Sequence, residues 1–152
     1  MAKQTIKEVT RKIEASLADI SAIEANAEVL ANNTALGDIT RRIFNEGKRS
    51  DGASIGQYKV GPYKNKRENA GRQTNFIDFQ FSGDLFYSIQ VGNLNGKPAV
   101  GIISQKEADI SESLEKRFGT VFQASDEERQ IALETARDFT FNKLKEIMKT
   151  WS

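Results

Sequence analysis

The chain contains no cysteine and no histidine among its 152 residues. Without cysteine there are no disulfides, thiol nucleophiles or thiolate metal sites. Without histidine the commonest general base and the commonest transition-metal ligand are missing. Triad, zinc and haem chemistry are thereby excluded. The enzymatic route left open is one that works with carboxylates, either a glycosidase-like pair or a Mg²⁺-dependent cluster.

Long apolar runs are also missing. No stretch reaches the roughly 18 apolar residues of a membrane span, and charges interrupt the segment from Met1 to Lys12, so we expect no secretory signal and no membrane partner. Lys and Arg number 22 against 21 Asp and Glu. This near-neutral balance gives no general case for a nucleic-acid partner.

Charge is nevertheless distributed unevenly. Basic residues dominate between Gly47 and Arg72, whereas the segment from Gln105 onward is net acidic. Residues 47–75 repeat glycine and show no sustained hydrophobic period, which predicts a long basic loop. The partner-binding candidates in this loop are Lys48, Arg49, Tyr58, Lys59, Tyr63, Lys64, Lys66, Arg67 and Arg72.

Three interpretations of this loop stay open. It can dock on an acidic neighbouring subunit, since a head-to-tail contact brings two different patches together. Its cations and tyrosines can contact the phosphates and bases of DNA. It can also be a solvated, flexible loop.

An amphipathic helix is predicted near the N-terminus, over Lys3 to about Ile20. Its apolar residues recur at steps of three and four, and we expect this face to pack on its own domain rather than in a coiled coil. They are Ile6, Val9, Ile13, Leu17 and Ile20. Asn32, Asn33 and Thr34 predict a break, followed by a short second helix that Gly47 ends.

An antiparallel sheet is predicted over residues 76–104. Alternation in Phe76–Phe81 predicts a first strand. Ser88–Val91 and Ala99–Ile103 flank an Asn95-Gly96 pair, the strongest short hairpin signal. Between them, Ser82, Gly83, Asp84 and Leu85 predict a structural turn that aims Leu85 into the core.

Two helices are predicted to close the chain. The first spans Glu107–Phe118 and ends at Gly119. The second begins at Ser125, whose spacing to Glu128 has the capping-box form. Near its end, Trp151 is predicted to pack on the core of the chain, with a partner groove as the alternative.

Neither cluster of polar residues predicts chemistry. Ser82 and Asp84 have no histidine base beside them, so catalysis there is unsupported. Acidic residues in the first C-terminal helix do not share one face, which favours a solvated surface over a metal site. That acidic set is Glu107, Asp109, Glu112 and Glu115. We therefore predict no catalytic residue, no metal and no cofactor.

Together these elements predict a single α+β domain over residues 1–152. A helical segment (1–46) precedes the long basic loop (47–75), the small antiparallel sheet (76–104) and the C-terminal helices (105–152). The sheet is expected to be packed by the N-terminal and C-terminal helices.

Three blocks resemble the neck and tail-completion proteins of long-tailed bacteriophages, also called virion morphogenesis proteins. Ser82–Ile89 is similar to their recurring small-Gly-x-Leu-x-x-Ser-Ile motif. Ile43–Tyr58 and Glu115–Arg129 resemble further blocks in the same order. The resemblance covers most of residues 40–130.

The resemblance implies a non-enzymatic virion protein, assembled in the bacterial cytoplasm as a homo-oligomeric ring between the head connector and the tail. Its partners would be itself and the neighbouring connector and tail proteins, with non-specific contact to genomic DNA left open. The alternatives are a tail terminator, a DNA-binding accessory protein and, more remotely, a carboxylate-based hydrolase of cell-wall or capsule sugar.

Overall fold

The protein is α+β, with helices packed around one two-stranded sheet. The computed structural model describes residues 5–150, so the prediction for Trp151 lies outside the described residues. In chain order the elements are α1 (Ile6–Thr40), a π-helical turn (Arg41–Asn45), α2 (Pro62–Asn69), α3 (Asp84–Ser88), β1 (Ile89–Leu94), β2 (Lys97–Ile102), α4 (Gln105–Phe118) and α5 (Asp126–Lys149).

Helix α1 is one continuous rod of 35 residues. Thr5 and Glu8 form a capping box at its start. The predicted break is wrong, because the polar side chains there bond to the helix itself: Asn32 Nδ2 donates to the Glu28 carbonyl at 2.8 Å and Thr34 Oγ1 to the Leu30 carbonyl at 3.0 Å. The predicted second helix is the end of this same rod.

The rod ends in a single π turn, Arg41–Asn45, whose residues Arg42, Ile43 and Phe44 are buried. Gly47 follows with φ of 62°, a conformation that favours glycine. A Cβ on Gly47 would collide with the ring of Phe76. The predicted stop at Gly47 therefore has two physical causes, a positive φ and a close side-chain neighbour.

The hairpin is confirmed. Strands β1 and β2 pair antiparallel from Ile89 opposite Ile102 to Leu94 opposite Lys97. Asn95 and Gly96 both have positive φ, 54° and 85°, as the two-residue type I′ turn requires. Helix α1 packs against both strands.

The predicted strand Phe76–Phe81 is wrong. These residues form irregular backbone, and Phe79 has φ of 53°. The positive φ interrupts the alternation that a strand needs. The ring of Phe79 instead lies 5.4 Å from the ring of Phe118 and 5.9 Å from that of Phe122. Side-chain packing with α4 thus overrides the strand pattern.

The Ser82–Leu85 turn has the predicted structural role. Gly83 has a left-handed φ of 95° and starts the short helix α3. Ser82 Oγ donates to Asp84 Oδ2 at 2.9 Å, and Leu85 is buried in the core. The turn therefore aims Leu85 inward, toward the cluster formed by Ile39, Ile43, Phe44, Ile55, Ile77, Leu85, Ile89 and Val121.

Both predicted C-terminal helices are present. Helix α4 ends at Gly119, which has φ of 85°. In α5, Ser125 accepts from the Glu128 amide at 3.1 Å, and Glu128 Oε2 accepts from the Ser125 amide at 2.7 Å. These reciprocal bonds are the predicted capping box, and helix α5 packs along α1.

A buried guanidinium joins the two long helices. Arg42 Nε donates to Glu128 Oε1 at 2.6 Å, and its Nη2 reaches Oε2 at 3.3 Å. The remaining donors reach the carbonyl oxygens of Val121 (3.0 Å), Lys48 (3.1 Å) and Gln123 (2.9 Å). One side chain thus fixes the end of α1, the start of the basic segment and the start of α5.

We predict that Arg42→Met destabilises the protein by about 3–5 kcal/mol, because it leaves the buried Glu128 carboxylate without its cation. Urea unfolding would measure the change. Arg41→Met is the matched control, since the exposed Arg41 pairs only with surface carboxylates and should cost less than about 1 kcal/mol. Equal losses for the two variants would contradict this account of the network.

Candidate interaction surface

Residues 47–75 form the predicted long segment of mostly irregular backbone, except that residues 62–69 are helical. We call residues 47–75 the basic segment. Lys48 and Ser54 form an antiparallel bridge, and Pro62 starts helix α2, where its missing amide and fixed φ suit the first turn. The glycine and polar residues of this segment gave no hydrophobic period, so the sequence did not predict this helix of eight residues. The helix is instead held by tertiary contacts.

Arg67 holds the basic segment in place from inside the protein. Its side chain is 0% exposed, and Nη2 lies 2.9 and 3.0 Å from the two carboxylate oxygens of Asp78. Nε donates to the Gln73 carbonyl at 3.1 Å and Nη1 to the Gln80 carbonyl at 3.2 Å. A fully buried guanidinium that is paired with a buried carboxylate offers nothing to a partner, so the prediction of Arg67 as a partner contact is wrong.

Tyr58 belongs to the same network. Its hydroxyl donates to Asp78 Oδ1 at 2.9 Å, and its ring lies 4.3 Å from the Arg67 guanidinium carbon. Burial, together with the hydrogen bond to the Asp78 carboxylate, raises the pKa of Tyr58. The phenol therefore stays protonated and donating, and its main role is to anchor the basic segment.

Several other cations of the basic segment pair with nearby carboxylates. Lys48 Nζ lies 2.9 Å from Glu46 Oε2, and Arg49 Nη2 lies 2.9 Å from Asp51 Oδ2. The Lys48 ammonium, the largest cause, lowers the pKa of Glu46. Lys64 lies 3.9 Å from a carboxylate oxygen of Glu68. These surface pairs reduce the charge that is offered to a partner.

Three candidate cations remain on the surface without an ion pair among the described residues, Lys59, Lys66 and Arg72, and the candidate Tyr63 is exposed as well. Lys66 Nζ lies 5.0 Å from the centre of the Phe81 ring. Tyr63 is half exposed, and its ring lies between those of Tyr58 and Phe81, at 5.7 and 6.2 Å. The structure thus places Tyr63, Lys66 and aromatic rings together on one outer face.

The basic segment and α4 enclose an open cavity of about 600 Å³. Its wall is largely apolar, and its polar groups include the cations Lys59 and Arg117. Sequence reasoning found Tyr58, Lys59 and Tyr63 but missed the α4 side of the wall, for which Leu114 and Phe118 at helical spacing were the available signal. The lining is Ile55, Gly56, Gln57, Tyr58, Lys59, Tyr63, Ile77, Phe79, Leu114, Arg117 and Phe118.

The acidic residues of α4 have two roles inside the fold. Glu107 is buried and accepts a short hydrogen bond from Ser104, which is the main cause that lowers the pKa of Glu107. Glu115 Oε1 accepts from the amides of Val121 and Phe122, both at 2.9 Å. Within residues 5–150 no group of three or more acidic residues is arranged to hold a metal ion.

The N-terminal apolar face is exposed, so the expectation that it packs on its own domain is wrong for residues 6–17, which we call the arm. The exposed fractions are 87% for Ile6, 38% for Val9, 45% for Ile13 and 61% for Leu17. Burial starts further along α1, at Ile23. Apolar residues aligned on one helix face and left in water are typical of a docking surface.

We predict that Asp78→Asn opens the basic segment to trypsin, because it removes the carboxylate that neutralises the buried Arg67 guanidinium. Cleavage after Lys59, Lys64 or Lys66 should be slow in the wild-type chain and fast in the variant, as followed by mass spectrometry. Glu68→Gln is the control, since it removes an exposed carboxylate of α2 and should leave cleavage slow. Rapid wild-type cleavage at these sites would show that the segment is not held by Arg67.

The chain matches no protein-family model, no curated protein and no solved structure. Among the described residues, no helix combines the length and apolar character needed to cross a membrane. Among the exposed features of the described residues are the arm, the cavity and the cations of the basic segment.

Proposed function

We propose that this protein is a structural subunit of the neck or tail-completion complex of a long-tailed bacteriophage, and that it forms a ring joining the head connector to the tail. The observation that carries the proposal is the arm. Isoleucine, valine and leucine in register along a projecting helix are of use only when another protein surface covers them.

The motif at Ser82–Ile89 supports the phage assignment. Its resemblance to the neck and tail-completion proteins extends to structure-determining positions of this chain. Gly83 supplies the left-handed turn, Leu85 enters the core and Ser88 is buried with its hydroxyl bonded to the Leu85 carbonyl at 2.8 Å. The motif thus builds the junction between the irregular segment and the hairpin, a role suited to an assembly module.

The buried networks support a binding role for the rest of the surface. Arg42 and Arg67 hold together the backbone segments that they bridge, and a surface that is ordered before binding loses little conformational freedom when it docks. Pairing of Lys48, Arg49, Lys64 and Arg67 with carboxylates leaves fewer cations for phosphate. We therefore place the DNA-binding alternative below the assembly function; a tail terminator would use the same surfaces.

The test is the oligomeric state of the purified protein, alone and with the connector and tail proteins encoded beside it. We expect a closed ring, formed either by the chain alone or in the presence of those proteins, as measured by native mass spectrometry and light scattering. A chain that ignores the connector and tail proteins but binds DNA in a salt-dependent manner would favour the accessory function instead.

A further inference from the structure

The apolar side chains of the arm lie on the same face of α1 as apolar side chains that are buried further along the helix. Ile23 and Ala27 of α1 are buried, and stepping back from them by threes and fours leads through Ile20 to the arm residues Leu17 and Ile13. One helix face is thus covered in its middle and bare at its start. The arm therefore has the chemistry of an interface whose second partner is missing from the single chain.

The uncovered part of α1 begins near the point where α5 ends. Glu128 in the first turn of α5 meets Arg42 at the end of α1, so α5 runs back along α1 in the antiparallel sense. Helix α5 has 24 residues and α1 has 35. Because the two helices are aligned where α1 ends and α5 begins, the shorter α5 ends before it reaches the start of α1. The arm, which is about 18 Å long, therefore has no covering helix.

The same protein also carries a groove. It lies between α1, β2 and the start of α5, and has a volume of about 610 Å³. Four of its eleven lining residues are alanines, its polar lining residues are Asn32, Gln123 and Arg129, and Leu133, 65% exposed, stands in its wall. The lining includes Ala31, Ala35, Val100, Phe122, Ala124, Ala132 and Leu133. Alanines leave holes into which the larger side chains of another helix can insert.

The arm cannot reach the groove of its own chain. Both features lie on the continuous helix α1, with Leu17 and Ala31 separated by about 21 Å along its axis. An arm that occupies this groove must therefore come from another copy of the chain. Because arm and groove are different surfaces, the contact is heterologous, and repeating it generates a ring when the rotation closes.

Resting on the proposed function, we propose that the arm of each subunit docks its Ile6, Val9, Ile13 and Leu17 side chains into the α1–β2–α5 groove of the next subunit. The occupant of the groove is a second copy of this chain. The apolar residues supply the driving force, and the alanine-lined floor lets the two helices approach closely.

Charge is complementary at this contact. The arm has one excess positive charge, from Lys7, Arg11 and Lys12 against Glu8 and Glu14. Asp126 and Glu127 lie in the first turn of α5, next to the groove but outside its lining. The wall residue Arg129 already pairs with Asp126 at 3.4 Å, so Glu127 is the carboxylate we assign to the arm. Added salt should therefore slow association of the subunits.

Ile13→Asp tests the arm. It places a charge at the centre of the stripe and should weaken self-association at least about 30-fold, the loss typical of a buried anchor. Ala15→Asp is the matched control, since Ala15 is exposed and lies about 200° around the helix from Ile13. Both variants add the same charge to α1, and equal circular dichroism would show that both are folded.

Leu133→Glu tests the groove in the same way, with Phe141→Glu as its control on an exposed position of α5 that lies outside the groove. Sedimentation velocity should show that Leu133→Glu also loses self-association and that Phe141→Glu keeps it. If Phe141→Glu alone dissociates the protein, the acceptor is the outer face of α5 and the proposal is wrong.

Mixing the two disabled variants gives the sharpest result. Ile13→Asp keeps an intact groove and Leu133→Glu keeps an intact arm, so a 1:1 mixture should form heterodimers that cannot extend. A mixture that stays monomeric would overturn the head-to-tail contact. Wild-type chains that stay monomeric even when the connector and tail proteins are present would also overturn it.

These outcomes are distinct from failure of the proposed function. Rings that form normally with Ile13→Asp in the presence of the connector would refute the arm contact and leave the neck function standing. Self-association that depends on Ile13 and Leu133, by a protein that binds neither connector nor tail protein, would support the arm contact and refute the neck function.

Discussion

The buried Arg42–Glu128 pair is the constraint on which the rest of the arrangement depends. Burying two charges is costly, and the cost is recovered only when every donor finds an acceptor in good geometry. Arg42 meets this condition with Glu128 and three backbone carbonyls. Because those acceptors come from separate segments, satisfying one side chain positions the start of α5 against the end of α1. The antiparallel direction of α5, and hence the length of α1 left uncovered, follow from that single junction.

Arg67 is a second buried guanidinium that holds separate stretches of backbone together, over a shorter span of the chain. It carries its charge into the interior and pairs with Asp78, which also accepts from Tyr58 and from Gln73 Nε2 at 2.6 Å. The backbone of residues 73–80 is drawn around the guanidinium, since its carbonyls supply the other acceptors. This wrapping sets the cavity wall, because Ile77 and Phe79 lie on the wrapped backbone and face α4. The contacts that hold the basic segment thus come from within the chain itself.

The sequence predicted well those elements that are governed by neighbours in the chain. The capping box of α5, the Asn95-Gly96 hairpin and the left-handed Gly83 depend on residues a few positions apart, and all three are present. The failures share the opposite property. Whether Arg67 lies on the surface depends on Asp78 and on a folded backbone that no local pattern reports. Phe79 alternates like a strand residue but packs with Phe118 and Phe122, far along the chain. In the candidate surface, composition therefore identified basic residues correctly and could not separate those that hold the fold from those that face a partner.

The arm is a further case in which the local sequence pattern could not predict burial. Periodicity identified the apolar face of α1 but could not tell which turns are covered, because coverage depends on where α5 ends. Helix formation is costly to start and cheap to extend, so the packed part of α1, around Ile23 and Ile39, carries the nucleation cost for the arm as well. The arm is thus held out already helical. Docking it orders few additional backbone dihedrals, and more of the free energy gained by burying its apolar side chains remains available for binding. In the contact proposed above, a helix that extends beyond its packed part therefore presents an apolar face to another subunit at little cost in conformational entropy.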